Sequence, residues 1–178
     1  IFRGITQSDG AIAFQAGLDY SFDDSGFYAG TWWSTVDYGV VDAPTNEVDF
    51  YAGYAHDINE TFNFDLSYVY YSYYGGGNST VFSSSYNSNN SNYGEFIVKF
   101  AMTDIATLTY AFTNDYSGLG GSANYLNLGN SWDLGSGYSI NAGFGRTFQS
   151  NSLQDEFGLL DYNDWKIGFE KHWNLITI

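Results

Sequence analysis

The sequence predicts an all-β protein, an antiparallel up-and-down transmembrane β-barrel, on three observations. Apolar side chains recur with a two-residue period almost end to end. The connections between these stretches alternate between short and long. The composition sets 17 Tyr, 15 Phe, 5 Trp and 21 Gly beside one Pro and no Cys in 178 residues. A soluble core of that size would favour Leu, Ile and Val over so many tyrosines. Mean hydropathy is -0.26, and the absence of any run of about 18 apolar residues excludes a membrane helix. Barrel strands escape that test, because they show lipid only at every second residue and average out as polar. The length suits one domain, so residues 1–178 are read as a single barrel domain.

Taken in order, the first clear strand is AIAFQAGLDYSF from Ala11, with Ile12, Phe14, Ala16, Leu18, Tyr20 and Phe22 on one face and Gln15, Gly17, Asp19 and Ser21 on the other. About a dozen alternating positions is the length a tilted strand needs to cross a bilayer. GFYAGTWWSTVDY reads as a strand with aromatics on both faces, and its phase is open. TFNFDLSYVYYSYY alternates Phe62, Phe64, Leu66, Tyr68 and Tyr70 with Asn63, Asp65, Ser67, Val69 and Tyr71. EFIVKFAM turns Phe96, Val98, Phe100 and Met102 away from Glu95 and Lys99. Ala106, Leu108, Tyr110 and Phe112 face outward in IATLTYAFTND, as do Leu126, Leu128 and Trp132 in ANYLNLGNSWDL. The last two are GYSINAGFG, with Tyr138, Ile140, Ala142 and Phe144 out, and DWKIGFEKHW, with Trp165, Ile167 and Phe169 out.

Short turns fall at Asp23–Gly26, Asp57–Glu60, Thr103-Asp104, Gly135–Gly137 and Trp173-Asn174, in the Gly, Asp and Asn chemistry of tight hairpins. Longer connections run over Gly39–Asn46, Gly75–Asn90, Ser117–Ser122 and Phe148–Asp161. In a barrel the short turns lie on the periplasmic side and the long loops outside. Gly75–Asn90, rich in Ser, Asn and Gly, is expected to be a mobile external loop. The count is about ten complete strands, with fragments at IFRGITQ and LITI, which implies about 12 strands in the full-length protein and a last strand beyond Ile178; ten is the alternative. Because Ile1 opens directly on what reads as a strand, the chain is taken as a processed or partial product.

Charge places the function. Five Lys+Arg against 20 Asp+Glu give a formal net charge of -15, a field that repels nucleic acid; it fits solvated acidic loops, or else marks a surface, vestibule or pore that favours cations. A charge on the lipid face costs roughly 2–4 kcal/mol at mid-bilayer, and Asp19, Asp65, Glu95, Lys99, Lys166 and Glu170 all alternate to the other face. With Arg3 and Asp49 they are the candidate lumen-facing charges. If acids and bases pair across a narrow interior they form a plug, and if they segregate they line a polar channel. Trp132, Trp165 and Trp173 are candidates for interfacial aromatic girdles; Trp32 and Trp33 also lie towards strand ends, while Tyr51, Tyr71 and Tyr73 face inward.

FRGITQSDG followed by AFQAGLDY and SGFYAGTW, with EVDFYAGYA, LSYVYYSYY, NYGEFIV and DWKIGFEK further on, resembles the TorF-type porins, proteobacterial outer-membrane proteins catalogued under the label Gcw_chp. These pieces cover most of the chain. The resemblance implies an outer-membrane location and a pore, and it transfers no catalytic residue.

An enzyme reading fails on geometry. The two histidines, His56 and His172, precede turns on the periplasmic side and lie in separate hairpins, without the nucleophile, base and carboxylate set of a hydrolase. The carboxylate pairs Asp23-Asp24 and Asp155-Glu156 lack the spaced oxygen ligands of a calcium loop, and Gly75–Gly77 has no following Lys or helix start. No cofactor is expected. The expectation is a channel of the bacterial outer membrane for small hydrophilic solutes or ions. The alternative is a non-conducting barrel that anchors or docks another envelope protein through loop 75–90.

Overall fold

The computed structural model of the chain describes residues 1–76, 91–173 and 176–177. The strands are β1 (Gln15–Ser21), β2 (Phe27–Thr35), β3 (Asn46–Asp57), β4 (Phe62–Tyr74), β5 (Tyr93–Met102), β6 (Ala106–Thr113), β7 (Ala123–Gly135), β8 (Tyr138–Gln149), β9 (Tyr162–Trp173) and β10 (Ile176–Thr177). Each pairs antiparallel with the next in a single up-and-down sheet, so the predicted all-β class and order hold. One α-helix, α1 (Asn151–Phe157), sits in the last long connection. Short turns join β1 to β2, β3 to β4, β5 to β6 and β7 to β8 at one end of the sheet; the connections 36–45, 114–122 and 150–161, and the facing ends of β4 and β5, lie at the other. Residues 77–90 of the expected mobile loop, and the Trp173-Asn174 turn beyond Trp173, lie outside the described residues.

Three expectations about the strands change. β10 is a two-residue stub on β9, leaving nine longer strands of 7 to 13 residues among the described residues rather than about ten complete ones. β1 begins at Gln15, so Ile12 and Phe14 precede it. IFRGITQ is not a strand: Phe2 and Ile5 exchange backbone hydrogen bonds of 2.9 Å around Arg3 (φ 47°) and Gly4 (φ 79°), a two-residue turn whose paired positive φ suits Gly.

That turn shows that the sheet curls. The Phe2 ring packs edge-on to Tyr71 of β4 at 5.9 Å, while the Arg3 guanidinium lies 4.4 Å above the Tyr125 ring of β7. A side chain on Gly4 would strike Asp164 of β9. In a flat sheet β4 and β9 stand about 24 Å apart at ~4.8 Å per strand, whereas residues 2 to 4 span at most about 7 Å. The sheet therefore wraps around its N-terminal segment. Among the described residues no pairing joins β1 to β9 or β10.

The two faces differ as the alternation requires. In register across the sheet, Phe64, Phe100, Leu108, Leu128, Phe144 and Trp165 form one outward row, and Leu18, Phe50, Leu66, Phe96, Ile140 and Ile167 are exposed on the same face. Of the charged residues within strands, only Arg146 and Lys171 fall on this face. Arg146 lies near the loop end, 4.9 Å above the Phe148 ring, and Lys171 lies near the turn end, 3.7 Å above the Tyr138 ring. The buried core is on the inner face at the loop end, where Tyr71, Tyr93, Tyr116, Leu119, Ala123 and Leu153 pack together. α1 supplies Leu153 to that core and ends at Gly158 (φ 69°), whose N–H caps the Gln154 and Leu153 carbonyls.

Candidate functional site

The candidate site is the inner face. All eight charges expected there lie on it, but among the described residues only one acid–base pair forms across the interior. The Arg3 guanidinium donates two parallel hydrogen bonds to Glu95 of β5, at 2.9 and 2.6 Å, and Tyr71 adds its hydroxyl at 3.2 Å. Glu95 is 1% exposed and the Arg3 side chain 9%. Burial by itself disfavours a charged guanidinium, yet the Coulomb field and hydrogen bonds of Glu95 outweigh it and hold the Arg3 proton more tightly than usual. A bidentate pair of this kind fixes orientation as well as charge. It pins the N-terminal turn inside the curl.

The other inward acids are tied along the wall instead of across it. Tyr51 of β3 lies over Gly30 of β2 and donates to Asp19 of β1. Tyr28 of β2 lies over Gly53 of β3 and donates to Asp65 of β4 at 2.6 Å. Tyr125 of β7 lies over Gly145 of β8 and donates to Asp164 of β9 at 3.2 Å. In each case a phenol crosses the intervening strand where glycine leaves room, since a Cβ at Gly30 or Gly53 would sit 2.5 Å from the ring. Asp164 was missed from the sequence, because no local pattern announces a partner two strands away.

Lys99 sits between Asp65 and Thr109 in register, exposed, and among the described residues it makes no ion pair. Lys166 lies against Gly143, and Glu170 accepts from Asn141 at 2.8 Å. Asp49 is 9% exposed and its Oδ1 has no hydrogen-bond partner. Beside it Glu47, 6% exposed and absent from the sequence-based set, accepts from Gln7 at 3.2 Å and Tyr38 at 3.4 Å. Burial and then the Glu47 charge raise the Tyr38 hydroxyl above its ordinary range, and burial does the same to Tyr116, so both are neutral phenols.

Two joined polar hollows open on the inner face of β6 to β9. One of about 560 Å³ runs from the N-terminal turn past Tyr125 and Asp164 to Lys166; the other, about 470 Å³, continues along Thr107, Ser131, Asn141 and Glu170. Thr109, Asn127 and Lys166 line both. The Phe2–Ile5 turn stands between them and the aromatic core at the loop end.

Of the girdle candidates, Trp132 and Trp165 face outward, 37% and 74% exposed, and the Trp173 side chain is outside the described set. The open phase of β2 resolves with Trp33 outward and Trp32 inward, laid on Gly17 and in register with Asp49, so Trp32 leaves the girdle reading. Tyr51 and Tyr71 face inward as expected, and Tyr73 lines an inner hollow. His56 stacks on Tyr54 on the outer face, and His172 lies 3.7 Å from Glu170.

Compared with known proteins, residues 1–176 match a family model described as bacterial protein of unknown function (Gcw_chp). No curated protein and no solved structure matches the chain.

Proposed function

The chain belongs to the Gcw_chp family of bacterial proteins, and on that premise we propose that it is an outer-membrane β-barrel acting as a porin-like channel for passive diffusion of small hydrophilic solutes or ions. The observation that carries the reading is the segregation of the two faces. Large apolar side chains cover the outward face of β1 to β9, while the acids, amides and hydroxyls face a curled interior. A water-soluble sheet buries its apolar face; this one displays it, as a barrel in lipid does.

The two outward cations support the same placement. Arg146 and the Lys171 partner Tyr138 are eight positions apart on β8, about 27 Å at ~3.4 Å per residue. A transmembrane barrel carries an apolar band about 25 Å tall. A strand tilt of about 40° shortens the projected separation to ~21 Å, a gap that long cationic side chains close by reaching towards the headgroups. Closure of the barrel, by the free edges of β1 and β9 meeting directly or through a further strand, removes the edge exposure that open sheets must manage. The resemblance to TorF-type porins points the same way.

Conduction follows the joined hollows, whose shared residues Thr109, Asn127 and Lys166 give a continuous polar wall. The N-terminal turn is their constriction. A non-conducting barrel is the competing reading, favoured by the buried Arg3–Glu95 pair that seats the turn. Planar-bilayer recording of the refolded protein decides between them. Discrete cation-preferring conductance steps that grow when residues 1–6 are deleted are expected; a well-inserted protein that stays silent both with and without those residues overturns the channel.

A further inference from the structure

At the loop end of the inner face the N-terminal turn and the tyrosine cluster enclose a separate hollow of about 250 Å³. Its walls are rings, those of Phe2, Tyr38, Tyr73, Tyr93 and Tyr116. Glu47, held by Gln7 and Tyr38 from the same lining, places a buried carboxylate behind them. Asp49 lies two residues along the same face with an unpartnered oxygen. Ser117, 2% exposed, lines the hollow with its Oγ also unpartnered.

Every basic side chain of the protein is accounted for elsewhere. Arg3 is committed to Glu95, Arg146 lies 3.8 Å from Asp161, and Lys171 donates to the Ser136 carbonyl. Lys99 and Lys166 sit on β5 and β9 without an ion pair. Glu47 therefore stands behind a ring-lined hollow, bonded to two of its lining residues, with no Lys or Arg within pairing distance. Buried carboxylates without a counter-charge are costly, and ring faces attract cations.

We propose that this hollow binds a compact organic cation, an alkylammonium whose charge rests on the tyrosine rings and offsets the Glu47 carboxylate behind them. A hydroxyl or N–H on the ligand would meet the Ser117 oxygen. The volume lies below the roughly 300 Å³ lower end of pockets for drug-sized ligands, which limits the ligand to a few heavy atoms. A sugar fits the rings but leaves the Glu47 carboxylate without a counter-charge, and an anion is repelled by it. The site faces the long connections and is independent of whether the interior conducts.

The test uses the refolded chain in detergent micelles, titrated with choline and with its neutral isostere 3,3-dimethyl-1-butanol, by calorimetry and by intrinsic fluorescence. Saturable choline binding is expected, with the alcohol weaker by about tenfold or more, a difference of ~1.4 kcal/mol. Glu47→Gln should abolish that preference. Glu60→Gln, which changes charge equally but sits in the turn at the far end, should keep it. Tyr38→Leu lies in a connection outside the strands and should weaken choline binding while the sheet folds. Equal affinity for the two probes, no saturable choline binding to the unaltered chain, or equal losses in Glu47→Gln and Glu60→Gln would each overturn the proposal.

Discussion

Arg3 and Glu95 form a bidentate ion pair inside the curl, and their burial sets what each substitution does. Removing Arg3 alone leaves a carboxylate with 1% exposure and no counter-ion, a loss of about 3–5 kcal/mol for a buried pair broken on one side. Arg3→Ala should lower the urea midpoint of the refolded protein accordingly. Replacing both partners by Met should restore most of the loss, because the desolvation cost disappears with the charges. Gly30 offers a second check. A Cβ there meets the Tyr51 ring at 2.5 Å, so Gly30→Ala should push the phenol off Asp19 and destabilise by about 1–3 kcal/mol through overpacking; a neutral outcome would mean that the ring does not lie over the backbone.

Within the strands, the outward face of β5 separates a membrane sheet from a soluble one. Val98 is exposed there. Val98→Lys should cost about 2–4 kcal/mol when stability is measured in lipid vesicles, whereas a side chain already in water would change by within ~0.5 kcal/mol. Alternation made this face legible, because a two-residue period depends only on neighbours in sequence. The phase of β2 was not legible, since Trp32 and Trp33 are adjacent and only the pairing of Trp32 with Asp49 and Gly17 decides which turns inward. α1 falls in a segment whose sequence reads as a long connection, although Leu153 and Phe157 at helical spacing and Gly158 after them are helix signals. At the N-terminus the apolar Phe2 and Ile5 suggested a strand, and the Arg3-Gly4 turn between them overrode it. Asp19 and Asp65 are legible in the sequence but their partners are not: Tyr51 and Tyr28 reach them across a strand, as Tyr125 reaches Asp164, and such partners exist only once the register is known.

At the scale of the whole molecule, the curl separates an aromatic, acid-backed loop end from a polar region along β6 to β9, with the N-terminal turn between them. For the proposed channel, Asn127, shared by both polar hollows, is the place to alter permeation. Asn127→Arg should reduce conductance several-fold and shift the reversal potential under a salt gradient away from cation preference; unchanged values would remove those hollows from the path. The turn also bears on how the protein assembles. The strands pair in sequence order, so most sheet contacts are between neighbours along the chain, while Arg3 meets a residue 92 positions away. Its seat is built from β5 and β7 and exists only after both have paired. Contacts made after the rate-limiting step leave the folding rate alone and slow unfolding. Arg3 thus acts as a late clasp: Arg3→Ala should speed the loss of folded protein in denaturant while leaving the rate of refolding into micelles unchanged.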